Sequence, residues 1–223
     1  MAYADYEYSQ YSDSKTRLAA SYATSSQEEL LKYYDQWDTY EQDLLALGYF
    51  GPLACTSLLY KNVSSTATIL EVGCGPGNVG RNLQLMKFEN LYGVDGSSGM
   101  VDRARKTGVY QHVYHDIIND DYVLPTGPRD RGSSWVDVIL GVGTWTVGHF
   151  PPGSMRRCFD LLPSRGLLCF SGTKQVLETV FESDFAFVQE NSTLIDKSNE
   201  QFIVPFAETK NQYPARGYLF RKN

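Results

Sequence analysis

The most constraining feature of the sequence is the stretch at residues 69–80, in which a short apolar run breaks into closely spaced glycines. Helical spacing of apolar residues resumes after it, so the stretch predicts a strand, a tight turn and a helix. Glycine suits such a turn because it adopts positive φ at little cost, and because the missing Cβ lets a ligand contact the backbone. We therefore expect a ligand over the N-terminus of this helix.

Two classes of cofactor fit this turn. The glycines at positions 75, 77 and 80 satisfy the G-x-G-x-x-G pattern, and Asp95 follows at the end of a second apolar run, as in proteins that bind NAD. The same letters also contain an acid followed by alternating glycines, namely Glu71, Gly73, Gly75 and Gly77. This second pattern resembles the glycine motif of S-adenosylmethionine (SAM) methyltransferases, so the rest of the chain has to decide between the two.

The length and the charge of the chain limit its architecture and its partners. A chain of 223 residues that is 42% hydrophobic is expected to bury one core in one domain, which leaves little room for the separate substrate domain of an NAD enzyme. The net charge of −6 argues against nucleic acid as a partner. Because the sequence has neither a run of about 18 apolar residues nor a signal-like N-terminus, we expect no membrane contact and a soluble, cytoplasmic protein.

The cysteines and histidines do not form the pattern of a metal site. The four cysteines are widely spaced and include no C-x-x-C pair, which argues against a disulfide framework and against zinc. The three histidines include no pair at i, i+4. We therefore expect reduced, mostly buried thiols and no protein-bound metal.

The N-terminal segment differs in composition from the rest of the chain. Residues 1–24 contain five tyrosines, and Leu18 is their only aliphatic residue larger than alanine. Two interpretations stay open for this segment: a disordered tail, or a flap that folds over a bound ligand. Residues 25–223 are predicted to form a single domain, with a helical cap at residues 25–62 and an α/β core at residues 63–223.

From residue 68 onward, strand-like and helical segments alternate. Strands are predicted at residues 68–72, 91–95, 109–115, 135–141 and 166–171. Helices are predicted after a capping box at residues 26–29 and at residues 38–47, 52–60, 78–86, 98–106, 154–162 and 175–189. Strands separated by helices imply a doubly wound parallel sheet, with the ligand beyond the carboxyl ends of the strands. The last two strand-like runs, at residues 201–206 and 217–221, are predicted to pair antiparallel because the loop between them is too short for a helix.

Three further segments resemble the class I SAM-dependent methyltransferases. Residues 93–100 resemble that family's segment after its second strand, residues 114–117 its adenine loop, and residues 161–168 the turn before its fifth strand. Ser164 and Arg165 depart from the family's L-K-P-G-G sequence, which we expect to affect only the turn. The resemblance implies an α/β, Rossmann-like, doubly wound sheet of seven mostly parallel strands, with a C-terminal antiparallel hairpin and an N-terminal helical cap.

Residues 34–43 and 93–97 are also similar to the methyltransferase-like proteins named after the Williams-Beuren syndrome region. The similarity runs from about residue 33 to residue 223. It implies SAM as the cofactor and S-adenosylhomocysteine (SAH) as its product. It implies no particular substrate, because that family has no settled substrate class and the fold hosts many chemistries.

The resemblance and the residue chemistry together predict a cofactor site. The predicted cofactor-binding residues are Tyr34, Trp37, Tyr40, Glu71, Gly73, Gly75, Gly77, Asp95, Gly96, Ser97, Met100, Asp116, Ile117 and Gly141. Asp95 is expected to accept hydrogen bonds from both ribose hydroxyls. Met100 is expected to pack on adenine, with Asp116 and the backbone N–H of Ile117 at the adenine edge. A core role for Met100 stays open, and Asp120 and Asp121 are alternatives to Asp116.

The methionyl end of SAM is expected to lie along the glycine turn, where Glu71 orders the loop. Tyr34, Trp37 and Tyr40 are candidates to bind the carboxylate of SAM and to face its sulfonium cation, which aromatic rings attract. Ordinary core packing is the alternative for each of these three side chains.

The loop after the fourth strand, at residues 142–150, is expected to contact the methyl acceptor through Thr144, Trp145 and His149. His149 is the candidate general base because imidazole titrates near neutral pH; bracing the loop is its alternative role. The loop lacks the N/D-P-P-Y signature, so a small-molecule acceptor with an O, N or S nucleophile is predicted. A SAM-binding protein that acts through a partner without turnover is the second hypothesis, and an NAD-linked oxidoreductase is the third.

Overall fold

The centre of the fold is one mixed β-sheet with helices on both of its faces. The computed structural model describes residues 3–24, 26–127, 135–199, 201–202 and 214–223 of the chain. The strands are β1 (Thr68–Val72), β2 (Asn90–Asp95), β3 (His112–His115), β4 (Val138–Gly141), β5 (Leu167–Thr173), β6 (Ser192–Lys197), β7 (Gln201–Phe202) and β8 (Pro214–Lys222). The helices are α1 (Tyr3–Tyr22), α2 (Gln27–Gln36), α3 (Tyr40–Ala46), α4 (Gly51–Asn62), α5 (Asn78–Leu85), α6 (Ser98–Thr107), α7 (Ser154–Leu161), α8 (Lys174–Leu177) and α9 (Glu182–Glu190).

The order of the strands places a ligand crevice at β1 and β4. The sheet runs β3-β2-β1-β4-β5-β8-β6, and the two-residue strand β7 pairs with β8. The first five strands are parallel, whereas β8 is antiparallel to both β5 and β6. Because the winding reverses between β1 and β4, the crevice lies beyond their carboxyl ends. The predicted fold is confirmed, and the antiparallel β8 stands where an NAD-binding fold would continue with another parallel strand.

The central strands contribute side chains to two hydrophobic layers, one on each face of the sheet. Leu70 and Ile139 belong to one buried cluster, whereas their neighbours Ile69 and Leu140 belong to the other. Every residue of β1 and β4 is buried. A parallel sheet covered on both faces produces this continuous burial, and it gives the loops at the carboxyl ends a rigid base.

Two of the predicted strands begin later than expected. β3 begins at His112 rather than at residue 109, and β4 begins at Val138 rather than at residue 135. Trp135 is nonetheless buried, and its Nε1 donates a hydrogen bond to the Pro125 carbonyl oxygen at 2.9 Å. An apolar run that packs in the core without joining the ladder therefore looks like a strand in the sequence.

The C-terminal part differs most from the prediction. The strand that pairs along β8 is β6, which the sequence analysis missed, whereas only residues 201–202 of the predicted strand at 201–206 form β7 and residues 203–206 lie outside the described residues. The predicted helix at residues 175–189 is two helices, α8 and α9. β6 lies at the edge of the sheet with no fully buried residue, so its sequence lacks the apolar alternation that marks a strand.

The first helix packs against the helical cap. α1 contacts α3 and α2, and Leu18 is buried in a cluster with Trp37 and Leu44. The carboxylate of Asp43 joins these elements, because it accepts hydrogen bonds from Ser14, Arg17, Trp37 and Thr39 at 2.6–2.7 Å. A helix therefore occupies most of the segment for which a tail and a flap were both considered.

Among the described residues, no single helix combines the length and the apolar character that crossing a membrane requires. The helices α3 and α4 meet that criterion only as a pair, across a bend of 87°.

Candidate functional site

The turn after β1 is a glycine turn that a side chain would obstruct. Gly73, Gly75 and Gly77 all have positive φ, at 66°, 53° and 93°. A Cβ on Gly73 would lie 2.4 Å from Cγ2 of Thr144, whereas a Cβ on Gly75 would meet nothing within 4 Å. Gly73 is thus required by its conformation and by its neighbour. The open space beside Gly75 lets a ligand approach the backbone.

Asp95 connects this turn to the loop after β2. Its Oδ2 accepts a hydrogen bond from Gly75 N and its Oδ1 accepts one from Ser97 N, both at 2.8 Å. Burial raises the pKa of the Asp95 carboxyl, and the two backbone N–H groups counteract that increase. A carboxylate has about four lone-pair sites, so two remain for a ligand. Their number matches the two hydroxyls of a ribose.

These residues line a cavity of about 90 Å³ beyond the carboxyl ends of β1 and β2, which we term the cofactor cavity. The predicted site residues on its walls are Tyr34, Tyr40, Gly73, Gly75, Asp95, Gly96, Met100, Ile117, Thr144 and His149. Val142, Gly143 and Phe150, which also line the cavity, belong to the loop that was predicted to contact the methyl acceptor. The lining residues that were missed are Gln27, Leu30, Leu31 and Ile118. Three of the missed residues lie on α2 and face the cavity with helical spacing, a pattern that also describes ordinary core packing.

Several predicted cofactor residues support the cavity without lining it. Gly77 is the N-cap of α5 and Ser97 the N-cap of α6, and Gly141 lies under the ring of Trp145. Asp116 is exposed and does not line the cavity, and its Oδ1 accepts a hydrogen bond from the backbone N–H of Ile117, so the two groups that were predicted to bind adenine are bonded to each other.

Trp37 lies outside the cofactor cavity, contrary to its expected contact with the methionyl end. Its indole is buried, its only N–H donor is used by Asp43 at 2.6 Å, and its ring stacks on Tyr34. Core packing, the alternative considered for it, describes this position.

The side chain of Glu71 is connected through Tyr110 to α5, the helix that follows the glycine turn. This side chain is buried, and its Oε2 accepts a hydrogen bond from the Tyr110 hydroxyl at 2.7 Å. Burial raises the pKa of the Glu71 carboxyl to about 8, although the Tyr110 hydrogen bond opposes this. A Cβ on Gly80 would lie 2.5 Å from the same hydroxyl. Glu71 therefore holds Tyr110 against the first turn of α5, and its predicted role in ordering the glycine turn stays a prediction.

A second set of contacts, which the sequence analysis did not identify, fastens α2 to α6. Asp35 Oδ1 accepts hydrogen bonds from Ser97 Oγ at 2.7 Å and from Gly99 N at 2.8 Å. Arg103 donates to the carbonyl oxygens of Tyr34 at 2.8 Å and Trp37 at 2.7 Å. A carboxylate is favoured at the N-terminus of a helix, where the backbone N–H groups are free. The signal in the sequence was therefore Asp35 itself, an acidic residue to which no role had been assigned.

A larger cavity of about 350 Å³ adjoins the first, and we term it the acceptor cavity. Its walls come from α1, α3, the loop after β4 and the region around α8. The predicted substrate residues Trp145 and His149 line it, whereas Thr144 lines only the cofactor cavity. Four residues line both cavities, namely Tyr34, Tyr40, Gly143 and His149.

Tyr34 and His149 form a hydrogen-bonded pair within this shared wall. The Tyr34 hydroxyl lies 2.6 Å from His149 Nε2, and His149 Nδ1 lies 3.0 Å from the Val147 carbonyl oxygen. Because a carbonyl oxygen only accepts, Nδ1 carries the proton and Nε2 accepts from Tyr34. Burial lowers the pKa of His149 and raises that of Tyr34. The imidazole is therefore neutral at physiological pH, with Nε2 available to take a proton.

Among the described residues, no group of three or more His, Cys, Asp and Glu side chains is placed to hold a metal ion.

Comparison with known sequences gives two matches. Residues 69–165 match a family model described as a methyltransferase domain. The chain is 29% identical, over 161 residues and 70% of its length, to human methyltransferase-like protein 27. It spans about 63% of the length of that relative. The relative belongs to the Williams-Beuren region family, so the resemblance found in the sequence is confirmed.

Solved structures share the fold at low sequence identity. A TehB-like SAM-dependent methyltransferase from Corynebacterium glutamicum is 17% identical, with a TM-score of 0.57 over 86% of this chain and 99% of that chain. The magnesium protoporphyrin IX methyltransferase of Synechocystis, with bound SAM, is 14% identical, with a TM-score of 0.57 over 82% of this chain and 83% of that chain. The same enzyme has been solved with bound SAH, at a TM-score of 0.56 over 84% of this chain and 89% of that chain.

Proposed function

We propose that this chain is a class I SAM-dependent methyltransferase, which transfers a methyl group from SAM to an O, N or S nucleophile of a small molecule. The observation that carries the proposal is that the two cavities meet at a junction formed by lining residues that they share. The cofactor cavity contains the glycine turn and Asp95, and the acceptor cavity reaches the same junction from the other side. Methyl transfer is an in-line displacement, so the nucleophile of the acceptor, the methyl carbon and the sulfur of the donor have to lie in one line across this junction.

The chemical groups of the cofactor cavity match those of SAM, and the cavity has to widen beyond its volume of about 90 Å³ to admit the whole molecule. Asp95 retains lone pairs for the ribose hydroxyls, and the space beside Gly75 admits a ligand against the backbone. Thr144 lines this cavity, and its buried Oγ1 has no hydrogen-bonding partner among the described residues, which a polar group of the ligand would provide. The rings of Tyr34 and Tyr40 suit a sulfonium cation. When bound, SAM supplies a methyl group that its positive sulfur already activates.

The protein's own tasks are then alignment, exclusion of water and removal of a proton. Tyr34 and Tyr40 cover the junction of the two cavities. An acceptor O–H or S–H at this junction donates to the Tyr34 hydroxyl oxygen, and the Tyr34 proton is already directed at His149 Nε2. A neutral imidazole in that position serves as a general base, a role that typically contributes about 10²–10⁴-fold to the rate.

A small-molecule acceptor is supported by the shape and the charge of the chain. The acceptor cavity is concave, with a volume of about 350 Å³, which lies within the usual range for small-molecule sites. The net charge of −6 gives no general attraction to a nucleic acid.

Calorimetry with SAM and SAH tests the premise. We expect both to bind at micromolar concentrations with one site per chain. Absence of heat at high micromolar ligand, with the protein folded by circular dichroism, would remove the premise.

A labelling experiment tests the substrate class. The protein is incubated with methyl-labelled SAM and a cell extract that has been separated into small-molecule, RNA and protein fractions. We expect label in the small-molecule fraction, and label confined to RNA or protein would contradict the proposal. Tight SAM binding without labelling of any fraction would instead favour a SAM-binding protein that acts through a partner.

His149→Gln separates binding from chemistry. Glutamine preserves hydrogen bonding but takes up no proton, so we expect turnover of the labelled acceptor to fall by about 100-fold or more, while calorimetry still detects SAM binding. Turnover within about threefold of the unmodified protein would assign His149 to bracing the loop.

We also propose a cytoplasmic location for the protein. The four cysteines are buried and free, as is usual in a compartment that keeps thiols reduced. Fluorescence microscopy of the tagged full-length protein tests this, and label confined to the secretory pathway would contradict it.

A further inference from the structure

We infer that the methyl acceptor is a neutral, largely apolar compound of about two fused rings that presents a weakly acidic O–H or S–H to the Tyr34–His149 pair. This inference rests on the proposed function and adds the chemical class of the substrate. It follows from the walls of the acceptor cavity, from its volume and from the position of its polar groups.

The walls of the acceptor cavity are uncharged and mostly apolar, with polar side chains at Thr146, Ser171, Thr173, Gln175 and Thr179. Its apolar lining residues include Leu18 and Tyr22 of α1, Leu44 of α3, Trp145 of the loop after β4 and Val176 of α8. Within the part of the chain that the structure describes, no Asp, Glu, Lys or Arg lines this cavity. An ion that leaves water for such a site loses hydration without gaining a counter-charge. The cavity therefore selects against carboxylates, phosphates and protonated amines.

The volume of the cavity sets the size of the acceptor. An apolar cavity of about 150 Å³ in another protein holds one benzene molecule. At about 350 Å³, the acceptor cavity has more than twice that volume. Aromatic side chains such as Tyr22, Tyr49 and Trp145 form part of its surface, and they pack well against a flat ring system.

The polar groups of the cavity mark where the acceptor's own polar atom lies. The Tyr34–His149 pair belongs to the part of the lining that also faces the cofactor cavity. The buried hydroxyl of Tyr49 has no hydrogen-bonding partner among the described residues, and Tyr49 lines the acceptor cavity. A buried unpaired hydroxyl is unfavourable, and a polar group of the acceptor near Tyr49 satisfies it.

The proton and charge balance of the reaction agrees with a neutral acceptor. As the new O–C or S–C bond forms, the acceptor's proton passes to Tyr34 Oη and the Tyr34 proton passes to His149 Nε2. The bond between methyl and sulfur breaks, and its electron pair stays on the sulfur of SAH. One positive charge is present before and after, first on sulfonium and then on imidazolium, so the desolvated site never has to hold an additional charge.

Binding of naphthalene probes in the presence of saturating SAH tests the acceptor class without turnover. The probes are 2-naphthol, 2-naphthalenethiol and the charged analogue 6-hydroxy-2-naphthoate, and their own fluorescence reports binding. We expect the two neutral probes to bind at least tenfold more tightly than the carboxylate, and we expect methylated naphthol and naphthalenethiol by mass spectrometry when SAM replaces SAH. Equal or tighter binding of the carboxylate, or no methylation of either neutral probe, overturns the inference.

A pair of variants on α8 and the turn after it locates the probe. Val176→Trp fills the acceptor cavity, whereas Glu178→Trp places the same ring on a residue that lines neither cavity. We expect V176W to weaken 2-naphthol binding by at least tenfold with SAH affinity unchanged, and E178W to change neither. Equal naphthol affinity in the two variants overturns the inference. Because the probe panel uses the unmodified protein, the conclusion does not depend on whether V176W folds.

The outcomes distinguish this inference from the function on which it rests. If SAH fails to bind the unmodified protein, the proposed function falls and the acceptor class falls with it. If SAH binds but the probes show no preference for the neutral form, only the acceptor class is wrong.

Discussion

Replacing Asp95 by asparagine is expected to raise the Kd for SAM by about 10- to 100-fold while leaving the sheet folded. Asp95 ends β2 and lines the cofactor cavity. Its two oxygens already accept one hydrogen bond each from Gly75 N and Ser97 N. The remaining lone pairs of the carboxylate are the ones that the ribose hydroxyls of SAM would use.

The magnitude follows from counting these hydrogen bonds. Asparagine keeps one acceptor oxygen and replaces the other by an NH₂ group, which accepts neither from the backbone nor from a hydroxyl. A hydrogen bond to a charged group contributes about 1.5–3 kcal/mol. Losing one such bond to the ribose accounts for about 1.5–3 kcal/mol, and each 1.4 kcal/mol is a factor of ten in Kd.

Calorimetric titration with SAM at pH 7.5 measures the effect. Asp102→Asn is the matched control, because it removes the same charge from a side chain of α6 that is 68% exposed. We expect D102N to bind like the unmodified protein. If D95N also binds within twofold of the unmodified protein, at an unchanged Tm, then the nucleoside lies elsewhere and the assignment of the cofactor cavity is wrong.

The pH dependence provides a second measurement on the same residue. Burial raises the pKa of the Asp95 carboxyl, and only the ionised form offers all its lone pairs to ribose. SAM affinity is therefore highest above that pKa and falls as the pH is lowered through it, at a pH above the ordinary value of about 3.9 for aspartate. We expect the Kd of D95N to stay nearly constant over the same range.

Three other substitutions test the surroundings of the site. The folded-state pKa of Glu71 is about 8, above its ordinary value, so the contribution of this carboxyl to stability is greatest at low pH and is lost as the pH rises towards 8. Glu71→Gln should therefore flatten the Tm profile between pH 5.5 and 8.5, and an equally sloped profile would refute this. Asp43→Asn removes the carboxylate that joins α1 to the cap and should lower the unfolding free energy in urea by about 2–3 kcal/mol, whereas the 96% exposed control Asp38→Asn should not. Gly73→Ala should lower Tm more than Gly75→Ala, since both strain a positive φ but only the first meets a side chain; equal Tm values would contradict this.

The parts of the fold that the sequence predicted correctly are those that local patterns encode. β1 occupies the predicted residues, because its buried apolar run ends at an abrupt glycine turn. Asp95 could be identified from the sequence because the second strand of a βαβ unit ends about 20 residues after the glycine turn, and an acid at that position is typical of nucleoside-binding sites. The edge strand β6 was missed because partial exposure of all its residues removes the alternation that a buried face imposes.

The parts of the site that the sequence did not predict depend on long-range contacts. Tyr34 and His149 are 115 residues apart, so no periodic pattern pairs them. Ser14 and Asp43 are 29 residues apart on different helices, and the first 24 residues looked too poor in aliphatic side chains to pack. Tyr11 and the buried Leu18 pack on the cap instead. Composition alone did not reveal this, because the packing partner is another part of the chain.

The helix α2 connects the two cavities through adjacent residues. Tyr34 faces the junction and bonds to His149, whereas Asp35 turns to the N-terminus of α6 and accepts from Ser97 Oγ. The backbone N–H of the same Ser97 donates to Asp95. A cofactor that binds Asp95 therefore stabilises the loop to which α2 is fastened, and α2 in turn holds the tyrosine that contacts the acceptor cavity. Because consecutive side chains of one helix point in different directions, cofactor binding and proton removal share one rigid element, and SAM binding is expected to complete the acceptor side of the site.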